Sequence, residues 1–175
     1  SEISQMGGKV HRVWLDPANP APFPPTLQAI LNADLILVGP GSLYTSIIAN
    51  LLVPDLVDAL RASRAYKFYV CNIATQRGET DGYSCEDHVR TIERHAGGKL
   101  FDLVLANNRY EGRMPEGIDW VRVQQPGGQC QIYQADLADK ENPWRHNSAK
   151  VAKIIMDLFM ERTGPLSNKD GNSEI

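Results

Sequence analysis

Short apolar runs and amphipathic stretches take turns along the chain. Lys9 to Leu15 (KVHRVWL) alternates and is β-branched or aromatic at several positions, which predicts a strand; the proline-rich stretch Pro17 to Pro25 then ends it in a loop. Pro25 suits a first helical turn, and Leu27, Ile30 and Leu31 follow at helical spacing as far as Ala33. Leu35 to Val38 (LILV) is a continuous apolar run ending at Gly39, the pattern of a strand buried on both faces of a parallel sheet. Tyr44 to Leu52 carries Ile47, Ile48, Leu51 and Leu52 at helical spacing, and Pro54 opens a further helix with Leu56, Val57 and Leu60 inward. Lys67 to Ile73 (KFYVCNI) predicts the next strand and Ala74 to Tyr83 a polar loop. Ser84 and Asp87 then form a capping-box-like pair before a helix that buries Val89 and Ile92 and stops at Gly97. Leu100 to Ala106 and Ile118 to Val123 predict two more strands, and Gln131 to Ala135 an edge pairing. Asn147 is placed to cap a last helix with Val151, Ile154, Ile155 and Leu158 in one stripe. Strands alternating with helices predict an open, mostly parallel α/β sheet.

Length and composition fit one domain. The 175 residues are 42% hydrophobic and 22% charged, enough to bury a core and too balanced for disorder. The reading is a single α/β domain over residues 1–163 and a polar, flexible tail at 164–175. Against 21 Asp+Glu stand 18 Lys+Arg, a net charge of -3 with no block of like charges, so neither nucleic acid nor a membrane surface is the expected partner. Apolar runs such as Ile47 to Val53 are far shorter than the roughly 20 residues of a membrane span, and the start does not resemble a signal peptide. These features predict a soluble, cytoplasmic protein. Cys71, Cys85 and Cys130 are odd in number and lack zinc-ligand spacing, which predicts reduced thiols and no metal site.

In open α/β sheets ligands bind beyond the carboxyl ends of the strands, which directs attention to three polar loops. The first, Gly39-Pro40-Gly41-Ser42-Leu43-Tyr44-Thr45-Ser46, joins a strand to a helix. Its glycines allow close backbone approach, its helix start offers free N–H groups to an anion, and Ser42, Thr45 and Ser46 add hydroxyls. It matches neither G-x-G-x-x-G nor the P-loop pattern, and the alternative is an ordinary turn with a serine cap. The second is Asn72 with Thr75 to Gly82, where Glu79 and Asp81 are acceptors or metal ligands in one reading and members of a solvated loop in the other. The third, Arg145 to Lys150, puts Arg145 and His146 just ahead of a helix start, where a cation is unfavourable unless an anion neutralises it; the alternative is an incidental surface arginine. His88 and His95 read as packed or solvated, and no Ser-His-Asp or Cys-His arrangement is legible.

Three stretches carry a resemblance: ADLILVGPGSLYTSIIANLLVPDL at Ala33 to Leu56, YVCNIATQRGETDGYSCEDHVRTIERH at Tyr69 to His95, and WRHNSAKVAKII at Trp144 to Ile155. Together they resemble the YvcK-like, or gluconeogenesis-factor, branch of the CofD-like family; Asn107 to Asn142 is less typical. The resemblance implies a Rossmann-like α/β fold, a mostly parallel open sheet with helices on both faces, incomplete relative to the family. Relatives begin with a strand, a GGGTG loop and a DDGGSSG segment, neither of which occurs in this sequence, so the resemblance implies a carboxyl-terminal part with half of the nucleotide site outside it. It also implies a regulatory protein that binds UDP-N-acetylglucosamine or a related nucleotide sugar without catalysis, linked to carbon metabolism, cell shape and cell-wall synthesis. The alternatives are a CofD-like transferase of phospholactate to a deazaflavin alcohol, which would bring Mg2+, and a truncated fragment without ligand. No other cofactor is implied, and a homo-oligomer or a protein partner is expected. By the family's motifs, Gly39, Gly41, Ser42, Tyr44, Thr45 and Ser46 would contact phosphate. Asn72, Thr75, Gln76, Glu79, Thr80 and Asp81 would face them across the cleft, Arg145 would pair with the diphosphate or order the uridine end, and Tyr110 would stack on the base.

Overall fold

The computed structural model describes residue 10 and residues 12–124 and 130–163. Four parallel strands form one sheet in the order β1 (Leu35–Val38), β2 (Tyr66–Val70), β3 (Leu103–Asn107) and β4 (Ile132–Ala135). Because side chains alternate across a strand, each strand supplies both faces. Tyr69, Val104 and Ala106 point one way into a cluster with α2 (Leu43–Leu51), α3 (Pro54–Ala62) and α4 (Cys85–Ala96). Phe68, Val70, Leu103 and Leu105 point the other way and meet Val151, Ile155 and Leu158 of α5 (Ser148–Thr163). Helices therefore cover both faces, as the sequence predicts. A helix α1 (Pro24–Asn32), started by prolines in its first turn, packs beside α3. Among the described residues no single helix is long and apolar enough to cross a membrane.

The local signals for α4 and α5 act as the sequence indicates. Ser84 Oγ accepts from Asp87 N at 3.1 Å while Asp87 Oδ2 accepts from Ser84 N at 2.9 Å, a closed capping box, and Gly97 ends the helix at φ +77°. Asn147 Oδ1 accepts from Lys150 N at 3.1 Å and starts α5.

Four expectations are corrected. Residues 12–15 are not a strand, and Lys9 and His11 lie outside the described residues; Val10 and Val13 instead pack as half-buried side chains on the core. A strand needs a hydrogen-bonded neighbour, and no described strand lies alongside this segment. Ile118 to Val123 makes a single antiparallel bridge, Trp120 to Ala74. Val121 N to Ile73 O and Thr75 N to Asp119 O make that bridge, and the next backbone bond, Cys85 N to Arg122 O, goes to the start of α4. Among the described strands β1 lies at the edge of the sheet, and it is only partly covered rather than buried on both faces, with Leu37 47% exposed. Finally, α2 opens as a π-helical segment, Leu43–Ile48, before the α-helical Ala49–Leu51, because Ser42 O accepts from Ile47 N at 3.0 Å, five residues on. The tail at 164–175 lies outside the described residues.

Candidate functional site

The carboxyl end of β1 runs straight into the first polar loop. Gly39 has φ +81°, and a Cβ there would stand 2.8 Å from the Val70 carbonyl oxygen, so the turn that brings the chain back over β2 requires glycine. Gly41 N then donates to Asn72 Oδ1 at 3.3 Å, which ties the first loop to the second. Ser42 Oγ caps α2, accepting from Thr45 N at 3.4 Å and from Thr45 Oγ1 at 2.7 Å, and it donates to Glu79 Oε2 at 2.9 Å. Ser46 N donates to Ser42 O at 3.1 Å, while a helix start leaves the N–H groups of Leu43 and Tyr44 without an intrahelical acceptor. Thr45 and Ser46 are exposed beside them.

These loops border a cavity of about 280 Å³ lined by Gly41 and Ser42 on one side, Asn72, Thr75 and Gln76 on another, and Trp144 and His146 on a third. The motif residues around it divide by task. Thr75 Oγ1 accepts from Asp119 N at 2.9 Å while Thr75 N donates to Asp119 O at 2.8 Å, which fixes the cavity wall. Thr80 is fully buried and its Oγ1 accepts from Gln76 N at 2.8 Å; Asp81 Oδ2 accepts from Gly78 N at 2.6 Å. Both bonds shape the loop, Thr80 from its buried side and Asp81 from its exposed one. Gln76 Oε1 is buried and unpartnered, an acceptor whose desolvation costs about 1–3 kcal/mol until something satisfies it.

His146 Nε2 donates to the Cys71 carbonyl at 3.1 Å, which fixes the neutral tautomer, and burial holds its pKa below the ordinary imidazole value against that bond's opposing effect. The Asp139 carboxylate anchors the loop ahead of it, accepting from Glu141 N and Asn142 N at 3.0 and 2.9 Å; those backbone bonds hold its pKa low.

Of the residues implicated by the resemblance, Gly39, Thr45, Ser46, Glu79, Thr80 and Asp81 belong to the bordering loops without lining this cavity, and Tyr44, Tyr110 and Arg145 do not line it either. Tyr44 is buried, its hydroxyl 2.9 Å from that of Tyr83 and donating to Val10 O at 3.1 Å; burial, then the Tyr83 bond, push its pKa well up. Tyr110 donates to Asn107 O at 2.8 Å, has the Arg122 guanidinium 4.3 Å from its ring centroid and meets Trp120 edge-on at 5.9 Å. Arg145 is exposed, between two residues that do line the cavity, and its guanidinium makes no hydrogen bond among the described residues. Trp144 and Ile118 line the cavity without having been singled out by the sequence; for Trp144 the available signal was its place directly before Arg145-His146-Asn147.

Magnesium would enter with a transferase activity. Glu79 and Asp81 are each engaged by their own neighbours, and among the described residues no three His, Cys, Asp or Glu side chains gather to hold a metal ion.

The family profile described as 2-phospho-L-lactate transferase CofD matches residues 1–157. Among curated proteins, the chain is 41% identical over 171 residues to a putative gluconeogenesis factor of Nostoc, covering 91% of this chain and 38% of that protein. It is 39% identical over 170 residues to the gluconeogenesis factor of Listeria monocytogenes, covering 93% and 53%, and 36% identical over 171 residues to that of Bacillus subtilis, covering 92% and 54%. The chain thus spans about half the length, or less, of the curated relatives it matches. The crystal structure of a UPF0052-family protein from Bacillus halodurans superposes with a TM-score of 0.80 at 36% identity, covering 89% of this chain and 53% of that one.

Proposed function

The chain belongs to the CofD family, and from that premise we propose that it is the carboxyl-terminal part of a gluconeogenesis-factor-type regulator whose cleft binds a nucleotide sugar of the UDP-N-acetylglucosamine kind. The ligand is held rather than transformed, and its occupancy reports on carbon metabolism to a protein partner, with consequences for cell shape and cell-wall synthesis. One observation carries the reading. At the carboxyl ends of adjacent parallel strands, the glycine turn at 39–42 opens the start of α2, with the Ser42 hydroxyl, onto a cavity lined by amide and hydroxyl side chains. Backbone N–H groups and the partial positive charge of a helix start favour a diphosphate there. Glu79 now takes the Ser42 hydroxyl, so a diphosphate displaces that carboxylate as it binds.

Arg145 supplies the counter-charge. Its guanidinium is exposed beside Trp144 and His146 and is free to close over an anion. Isothermal titration of the protein with UDP-N-acetylglucosamine, UDP and UMP tests the proposal. Binding is expected, and Arg145→Ala should weaken it by roughly 1.5–3 kcal/mol, about 10- to 150-fold. No heat from a polypeptide that carries the whole family domain would refute the reading; an unchanged affinity in the variant would remove Arg145 from the site. A transferase reading is favoured by the description of the family profile. Product from a guanosine-diphosphate-linked phospholactate donor and a deazaflavin alcohol would establish it, and the regulator makes none.

A further inference from the structure

Beside the 280 Å³ cavity lies a second and larger one, of about 710 Å³, bordered by residues 112–116 and by Lys140, Glu141 and Pro143. Trp144 is the residue common to both linings. Resting on the nucleotide-sugar reading above, we propose that Trp144 is the stacking platform for the nucleobase, and that the larger cavity is the base subsite.

The smaller cavity falls just under the roughly 300–1,000 Å³ of typical small-molecule sites, so a dinucleotide-sized ligand with its diphosphate on Gly41 and Ser42 must run out of it. The way into the larger cavity passes Trp144. Among the described residues the Trp144 indole has no aromatic partner and its N–H no acceptor, whereas the ring of Tyr110, the other aromatic near this end of the sheet, is engaged by Arg122 and Trp120 and its hydroxyl by Asn107. A half-buried indole that borders both cavities is suited to a flat heterocycle.

The platform is also held in place before any ligand arrives. Arg145 N donates to Asn142 O at 2.8 Å, Asp139 N donates to Arg145 O at 2.9 Å, and Asn147 N donates to Leu137 O at 2.8 Å, so Trp144 sits in a loop closed on both sides. Gly112, at φ +104°, lies so close to Pro143 that a Cβ would stand 2.6 Å from its ring, which locks the floor of the larger cavity against the residue preceding Trp144. Such preorganisation lowers the entropy lost on binding. Around the platform, Arg113, Glu116 and Lys140 offer both donors and acceptors to the edge of a base.

The test compares Trp144→Ala and Trp144→Phe with the wild type against three probes: UMP, N-acetylglucosamine 1-phosphate and inorganic pyrophosphate. Loss of a stacking partner should weaken UMP binding about 5- to 150-fold in the alanine variant, several times more than it weakens either probe without a base, with most of the affinity restored by phenylalanine. In a protein whose Trp14 and Trp120 are replaced by Phe, UMP should also quench the remaining Trp144 fluorescence and pyrophosphate should not. Equal UMP affinity in wild type and Trp144→Ala would overturn the platform while leaving the cleft reading intact. A larger loss for N-acetylglucosamine 1-phosphate than for UMP would place the sugar there instead and overturn the assignment of the base. A wild-type protein that binds none of the probes would overturn both.

Discussion

Gly39→Ala probes the turn on which the whole site depends. At φ +81° an alanine pays about 1–2 kcal/mol for the left-handed conformation alone. Its Cβ would also meet the Val70 carbonyl oxygen at 2.8 Å, and that oxygen belongs to the backbone of the buried strand β2, so relief requires β1 and β2 to separate. Overpacking of this kind costs roughly 1–3 kcal/mol more. The expected loss is about 2–5 kcal/mol, a large part of the roughly 5–15 kcal/mol that holds a domain together. At this chain length it corresponds to a melting temperature lower by roughly 4–20 °C. Gly82→Ala is the matched control: it has φ +70° but no heavy atom within 4 Å of the new Cβ, so only the backbone part of the cost, about 1–2 kcal/mol, applies. Urea unfolding of the two variants separates the contributions. Equal losses would show that contact with Val70 does not set the geometry of the turn.

Two further perturbations act through groups already placed. Ser84→Ala opens the capping box and should cost about 0.5–2 kcal/mol in urea unfolding, with the Asp87 carboxyl titrating higher than in the wild type; unchanged values for both would show that the cap contributes nothing. Acid should destabilise the fold from about pH 6.5 downward, because burial lowers the pKa of His88 and of His146 and the unfolded chain therefore binds more protons there than the folded one. Urea midpoints that stay flat between pH 7.5 and pH 5 would refute this assignment of buried neutral histidines.

Much of the scaffold was legible because its signals are local. The Ser84 and Asp87 pair, the stop at Gly97 and the cap at Asn147 are each contained within a few residues, and all three appear where the pattern puts them. The apolar runs at Leu35 to Val38 and within Lys67 to Ile73 and Leu100 to Ala106 become strands because each finds a parallel neighbour. Lys9 to Leu15 and Ile118 to Val123 have strand composition too, but strand formation is settled by a partner that lies elsewhere in the chain. Val121 spends its N–H on Ile73 in the loop after β2, and Arg122 its carbonyl on Cys85 at the start of α4, so the segment braces a loop and a helix start instead of joining the sheet.

The same distinction between local signal and distant partner explains why the site was only partly legible. A motif gathers residues that must be kept together, and it does not say whether they touch a ligand or hold the loop that does. In the segment from Asn72 to Asp81, Asn72, Thr75 and Gln76 reach the cavity, while buried Thr80 and exposed Asp81 bond Gln76 and Gly78 within the loop. Within the first loop, Gly41 and Ser42 line the cavity, but Tyr44, two residues on, spends its hydroxyl on Tyr83 and Val10 across the core. The π-helical start of α2 contributes to that division. With acceptor Ser42 and donor Ile47 five positions apart, the first turn is wider than an α-helical one, and Leu43, Tyr44, Ile47 and Ile48 are all buried while Thr45 and Ser46 remain exposed. A deletion that removes the extra residue of this turn would rotate one set against the other. It should therefore disturb the cavity and the core together, and the boundary between scaffold and site in this chain runs through a single turn of helix.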